Sequence, residues 1–392
     1  MKLNLVKMPS KTPSLDIVAQ VNAAGLMGLA PQKLEALAPE LSRSTLNRRL
    51  ASLVKSGALQ VLGAGRATRY VSGSPFTRAD IDAYFNTPWQ QRPTAAFNEA
   101  LMSSDPHIDA GKALRCTQIQ ALAVPIDKRF LASFLIDLSW GSSMLEGGSY
   151  SALDTEALIQ YGQRNKDKPI ADAILVLNHK QAAEYLWTHR LLTNDNVCAL
   201  HALLTDDHSM EQIADSNHFL PDHQRGKPRE FEEVNLGASS YLPPFRPGTG
   251  FIGKTFEQVL VKANALEPID AALYLMTRIP YLQAFANGNK RTSRLAANVP
   301  LLAHGLLPFS FSDVDKSDYI RGMAAFYELG SLHVMEQTFI KGYAKSVVRS
   351  SNIPANLRGV GFDVDEVAQA LTDFINTGKR PSDSRAQLFL SA

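Results

Sequence analysis

Gly288 and Asn289 interrupt an otherwise helical run late in the chain, and three cations, Lys290, Arg291 and Arg294, follow at once. Pro280 interrupts or kinks the helical pattern before them, and FANGN (285–289) reads as a turn. A helix is expected over 290–304, with Leu295, Val299 and Leu302 facing inward. Glycine and asparagine tolerate left-handed backbone, and successive amides there open a nest onto the free N–H groups of the new helix. Cations in a first turn oppose the helix dipole, and apolar packing does not require them. Two readings of the corner stand: a phosphate held at the helix N-terminus, or a solvated basic turn paired with scattered carboxylates.

The pattern around the corner is helical. Apolar periodicity runs over 127–140, 154–161, 170–189, 196–204, 256–263, 268–284, 316–329 and 333–348, which predicts a helical body with short loops. A short hairpin is expected within 233–242, and 351–392 should begin as a loop, form a helix over 364–375 and end in a polar tail. There are no internal repeats. With 392 residues, 45% apolar and 20% charged, the chain is long enough for two or three globular domains. Cys116 and Cys198 are too few for a disulfide framework or thiolate metal site, so a reducing compartment is the expectation. No apolar run approaches the ~20 residues of a membrane span. The N-terminal MKLNLVKMPSKTPSLD lacks the apolar stretch of a signal peptide, so a cytoplasmic location is expected.

The net charge of +2 hides an asymmetry. Residues 1–75 carry ten Lys and Arg, among them Lys2, Lys7 and Lys11, against Asp16, Glu35 and Glu40, a balance of +7 that leaves −5 elsewhere. This segment reads as three helices (16–29, 31–37 and 42–57) and then two short strands around Gly63, Ala64 and Gly65. The order resembles a winged helix-turn-helix. That resemblance implies that Ser44, Thr45, Asn47, Arg48 and Arg49 face the major groove of duplex DNA, with Arg66 or Arg69 touching phosphate at the wing. Winged modules also serve as protein-docking or dimerisation domains, and both roles remain open.

QAFANGNKRTSR (283–294) resembles the signature of the Fic (Fido) family, His-Pro-Phe-x-Asp/Glu-Gly-Asn-Gly-Arg-x-x-Arg, and agrees with it at Phe285, Gly288, Asn289, Arg291 and Arg294. Upstream, SSMLEG (142–147) resembles the inhibitory motif of the N-terminally inhibited class, through Ser142, Glu146 and Gly147. GKPR (226–229) and NLGASSYLPP (235–244) resemble the family's Gly-x-x-Arg element and flap. The resemblance implies a mainly α fold: an all-helical Fic-type core with a small β-hairpin flap, preceded by the winged module. The expected domains are 1–75 (winged helix-turn-helix), 76–118 (linker and packing arm), 119–350 (Fic-type domain with inhibitory helix) and 351–392 (C-terminal helix and tail). It also implies that Phe285, Gly288, Asn289, Lys290, Arg291 and Arg294 surround the phosphates of ATP or another nucleotide. Glu146 would pair with Arg294 in place of a γ-phosphate contact. Ser239, Ser240, Tyr241 and Leu242 would offer backbone hydrogen bonds to an extended segment of a target protein.

The departures bear on chemistry. Gln283 stands where the family has its general base, a histidine, and an amide does not titrate near neutrality. Asn287 replaces the acidic residue that holds Mg²⁺, so metal affinity should fall. Lys290 replaces a glycine, as in the Doc branch, whose members are protein kinases. His304 is too far along its helix to replace the base, Tyr281 is a poor base, and His201, His208, His218 and His223 read as surface residues. The expectation is a degenerate Fic protein that binds nucleotide phosphates without standard AMP transfer, with a DNA-binding or regulatory role. The alternative is an active transferase moving AMP or phosphate from ATP to a protein hydroxyl. A homodimer is the prior from symmetry statistics.

Overall fold

The computed structural model describes residues 16–63, 65–104, 108–213, 216–354 and 361–391. Lys2, Lys7 and Lys11 of the basic segment, and Ala64 of its expected turn, lie outside the described residues. The chain divides into two compact units, Met1–Ala96 with Ala238–Tyr241, and Phe97–Gly237 with Leu242–Ala392. The division falls inside the 76–118 segment expected as linker.

In the first unit, helices Ile17–Ala23, Pro31–Leu37 and Arg43–Lys55 precede strands Leu59–Leu62 and Arg69–Ser72 and a helix over Arg78–Phe85. The strands pair antiparallel, with Leu59 opposite Ser72 and Leu62 opposite Arg69. Local chemistry sets the helix starts: Asp16 accepts the Ala19 N–H, Pro31 sits in a first turn, and Ser42 Oγ accepts the Thr45 N–H at 3.3 Å. Ile17, Val21, Leu34, Leu46, Leu50 and Leu59 close one buried cluster. Arg69 departs from its expected phosphate-facing role. It is only 3% exposed, because strand alternation puts it on the same inward face as Val71.

The second unit is built of helices. Lys128–Leu145 packs along Ile170–Thr188, and Pro268–Leu282 lies between Phe251–Asn264 and Asn289–Ala296. Every residue of Pro268–Leu282 except Asp270 is buried, as the core of such a body requires. Lys316–Leu329, His333–Arg349 and Val364–Thr377 stack in sequence order. Several boundaries differ from expectation. The helix expected over 290–304 is two, Asn289–Ala296 and Asn298–Ala303, because Pro300 has no N–H to offer the carbonyl of Ala296. Lys128–Leu145 runs beyond the expected end at 140, so that Glu146 is its C-cap. The tail is docked rather than loose: Phe389 is fully buried, and the Ser391 N–H donates to Gln118 O at 2.7 Å.

The segment expected as a hairpin contains one two-residue strand, Tyr241–Leu242. Its pairing comes from far upstream. Within the first unit the Ala95 N–H donates to Ser240 O at 3.0 Å, and within the second the Phe97 N–H donates to Leu242 O at 3.1 Å. Local turn signals misled here, since the partner lies about 145 residues away in sequence. No described helix is long and apolar enough to cross a membrane.

Candidate functional site

The corner begins where Pro268–Leu282 ends. Gln283 takes left-handed backbone angles (φ 50°, ψ 58°), an uncommon state for a residue with a side chain. Its amide explains how the state is held. Nε2 donates to Pro280 O at 2.6 Å, and Oε1 accepts from Asn289 Nδ2 at 3.0 Å. Asn289 also clasps Phe285, accepting its N–H at 2.9 Å and donating to its carbonyl at 2.8 Å. The Asn289 side chain thus closes the turn, and what it can offer a ligand is its place at the helix N-terminus. Gly288 caps that helix at φ 73°, and a Cβ there would lie 2.7 Å from Thr205 Cγ2. Only glycine fits without a shift.

His201 supports the turn from outside. Its ring stacks on Phe285 at 3.8 Å between centroids, and both residues are fully buried. Nδ1 accepts the Gly226 N–H at 2.9 Å, which puts the ring proton on Nε2, 3.0 Å from Asn287 O. Burial holds its pKa down to about 3, so the ring is neutral. This corrects the surface expectation for His201; His218 is half-buried, and His208 and His223 are exposed. Arg229, the arginine of the Gly-x-x-Arg element, reaches the same turn. It donates to Gln283 O at 2.6 Å, Glu232 O at 3.0 Å and Pro244 O at 2.5 Å.

The three cations have different surroundings. Lys290 keeps 40% of its side chain exposed, with Nζ 3.8 Å from Glu146 Oε2. Arg291 is buried and donates to the carbonyls of Leu204 at 2.8 Å and His218 at 2.6 Å, while its Nε is buried without a partner. Burial pulls its pKa to about 10, against the support of Glu146. Arg294 is wholly buried. It donates from Nε to Ser142 Oγ at 2.9 Å, from Nη2 to Ser142 O at 3.1 Å and to Glu146 Oε1 at 2.8 Å, and from Nη1 to the Tyr319 hydroxyl at 3.2 Å. Burial alone would push the Glu146 carboxyl up. Arg294, then Lys290 and Arg291, outweigh that and hold it well below the usual carboxylate range. Gly147 follows with φ 96° and turns the chain out of the helix.

A helix N-terminus with three cations, one of them carrying an unpartnered buried N–H, suits an anionic phosphate. The donor set does not suit Mg²⁺. Asn287 Oδ1 accepts the Gly288 N–H at 2.6 Å and its Nδ2 donates to Asn217 O, so the amide braces backbone on both sides. No cluster of three His, Cys, Asp or Glu with metal-binding geometry occurs among the described residues.

The structure brings together Ser142, Glu146, Gln283, Asn289, Lys290, Arg291 and Arg294, with Phe285 buried beneath them as a packing anchor. His179, His201 and Tyr319 also belong here, and the sequence pointed to none of them in this role. On the helix Arg43–Lys55 of the first unit, Ser44, Asn47, Arg48 and Arg49 are exposed and Thr45 is half-buried; Arg66 is exposed on the following loop. Of the flap residues, Ser239, Ser240 and Tyr241 belong to the first unit and Leu242, 51% exposed, to the second.

Residues 191–301 match the model of the Fic/DOC family. That stretch is a Fic domain. It contains the corner, His201 and Arg229, whereas Ser142 and Glu146 lie upstream of it. A curated relative, "Protein adenylyltransferase Fic" of Nematostella vectensis, is 23% identical over 209 residues. The match covers 51% of this chain and 45% of that protein, less than half its length. Among solved structures, a Fic domain containing signaling protein from Bacteroides thetaiotaomicron is 16% identical, covering 62% of this chain and all of its own, with TM-score 0.45. A Fic family protein from Desulfovibrio desulfuricans is 16% identical, covering 70% of this chain and 89% of its own, with TM-score 0.48. Within the mainly α-helical body with small sheets, residues 191–301 are the part that matches the family.

Proposed function

We propose that the Fic domain binds ATP through its phosphates at the N-terminus of Asn289–Ala296 and transfers AMP to a hydroxyl of a protein, with Glu146 keeping Arg294 from the γ-phosphate until it is withdrawn. The buried Arg294–Glu146 contact of 2.8 Å carries this reading. A fully buried guanidinium needs an anion, and a nucleotide can supply one only by displacing the carboxylate already there. The name of the Nematostella relative favours transfer over binding alone, which reverses the preference suggested by Gln283 and Asn287. Gln283 then sets the rate. Its amide takes no proton from an incoming hydroxyl, and base catalysis contributes ~10²–10⁴-fold, so transfer is slow. No step is assigned to Mg²⁺.

The first unit supplies partners in this proposal. The exposed side chains of Ser44, Asn47, Arg48, Arg49 and Arg66 would contact duplex DNA, and residues 239–241 would pair with an extended target segment. A homodimer and a cytoplasmic location belong to the same proposal. A second reading, nucleotide binding without transfer, is favoured by the two hydrogen bonds that lock the Gln283 amide.

Labelled ATP separates the readings, with the label at the α- or the γ-phosphate. Wild type should transfer neither label. Glu146→Gly should transfer the α-label slowly, and Glu146→Gly/Gln283→His should do so at least ~10²-fold faster. If the double variant binds ATP but incorporates no α-label, the binding-only reading replaces transfer; γ-label alone would indicate phosphate transfer.

A further inference from the structure

Arg294 is held by contacts of two kinds. One is the charged contact to Glu146. The others are neutral, to the Tyr319 hydroxyl, the Ser142 carbonyl and the Ser142 hydroxyl, and the last runs on to a histidine no motif contains. Arg294 Nε–H donates to Ser142 Oγ at 2.9 Å, and the same oxygen lies 2.9 Å from His179 Nε2. His179 Nδ1 lies 2.7 Å from Leu175 O, one turn back on its own helix, and a carbonyl has no proton to give. Nδ1 therefore carries the ring proton and Nε2 presents a lone pair. Ser142 must donate its O–H to that lone pair and accept from Arg294, so every hydrogen in the chain has one direction.

The surroundings enforce the arrangement. His179 is 0% exposed on Ile170–Thr188, the helix packed along Lys128–Leu145, and Ser142 is equally buried. Ser143 Oγ donates to Ser139 O at 2.6 Å and lies 3.2 Å from His179 Nδ1, where it can only accept. Burial, seconded by Arg291 and Arg294, outweighs the bond to the Leu175 carbonyl and the weaker pull of Glu146, and keeps the ring neutral. A neutral hydroxyl in this position has few alternatives. If His179 were absent, the Ser142 O–H could rotate, and its lone pair would no longer be fixed on Arg294.

We propose that His179 is a positioning residue: by fixing the Ser142 hydroxyl as an acceptor, it holds the Arg294 guanidinium in its present orientation whether or not Glu146 is in place. Withdrawal of Glu146 then releases an Nη2–H from an arginine that is already aimed, instead of freeing a floppy side chain. The consequence for ATP rests on the function proposed above; the tether itself does not.

The test uses the full-length protein in the Glu146→Gly background, with ATP affinity measured by calorimetry. Ser142→Ala and His179→Ala should each weaken ATP binding about tenfold, the size expected for one buried hydrogen bond. Because His179 acts through Ser142, the double variant should bind no more weakly than Ser142→Ala alone. His179→Gln, whose side-chain carbonyl can still accept from Ser142, should recover most of the loss. A double variant about a hundredfold weaker, or His179→Ala with unchanged affinity, would overturn the proposal. Ring ¹⁵N resonances of His179 without nucleotide give a second reading. The neutral Nδ1–H tautomer is expected, with the Nε2 signal moving in Ser142→Ala; the opposite tautomer or an unmoved signal overturns the tether. If Glu146→Gly ignores ATP altogether, the proposed function fails, and the ring resonances alone decide the role of His179.

Discussion

The Fic corner at 288–294 and the helix Arg43–Lys55 are both rich in cations, but one keeps its guanidinium groups inside the protein and the other keeps them outside. Arg291 and Arg294 are at most 1% exposed, and apart from the Arg291 Nε–H their hydrogen bonds go to carbonyls, hydroxyls and one carboxylate. Arg48 and Arg49 are exposed on their helix. A buried cation has to be matched before any ligand arrives, so its partner shows what the ligand must displace. An exposed cation is solvated and can exchange water for an incoming phosphate at little structural cost. The two regions should therefore respond oppositely to the same substitution, one in stability and the other in affinity.

The sharpest break in that comparison comes from Arg294→Ala. Removing one partner of a buried pair leaves Glu146 uncompensated except by Lys290 and Arg291, and should cost about 3 kcal/mol in urea unfolding. Arg48→Ala/Arg49→Ala should stay within about 0.5 kcal/mol of wild type. Equal losses would mean that burial does not separate the two regions. The pH dependence has a definite sign. The Glu146 carboxyl is depressed on folding, so the contribution of the pair is fully present above its ordinary value of 4.5 and fades as pH falls below that. The stability gap between wild type and Arg294→Ala should hold from pH 8 to pH 5 and shrink toward pH 3.

A smaller effect tests whether the corner's backbone is as constrained as its arginines. Gly288→Ala meets both a left-handed φ of 73° and Thr205 Cγ2 at 2.7 Å, and should cost about 2 kcal/mol. A neutral result would show that His201 and Thr205 yield easily. The smallest effect belongs to the exposed region. Arg48→Ala/Arg49→Ala should weaken binding to a duplex about tenfold and lower the log-affinity against log-salt slope by about 2, as two lost phosphate contacts would. Unchanged affinity removes the proposed DNA face.

How far the sequence went can be seen residue by residue. Long helices were legible because their apolar residues repeat every turn, and Glu146 opposite Arg294 was legible through the likeness of SSMLEG and the corner to known motifs. The Arg69 assignment went wrong because a basic residue near a turn looks exposed until strand alternation is known. His201 and His179 were missed for another reason. A single histidine on an apolar helix face carries no periodic signal, and their partners Asn287 and Ser142 lie 86 and 37 residues away. The pairing of residues 240–242 with 95–97 was hidden in the same way, since no local pattern announces a strand of two residues.

Arg229 has a consequence for motion. One guanidinium spans the carbonyls of Glu232, Pro244 and Gln283, so it rivets both ends of the intervening loop to the residue at the base position. A protein that levers that loop outward must shear these bonds and loosen the left-handed residue in the same stroke. Under the proposed function, docking at that loop and readiness at residue 283 would be mechanically geared to each other, with Arg229 as the shared tooth.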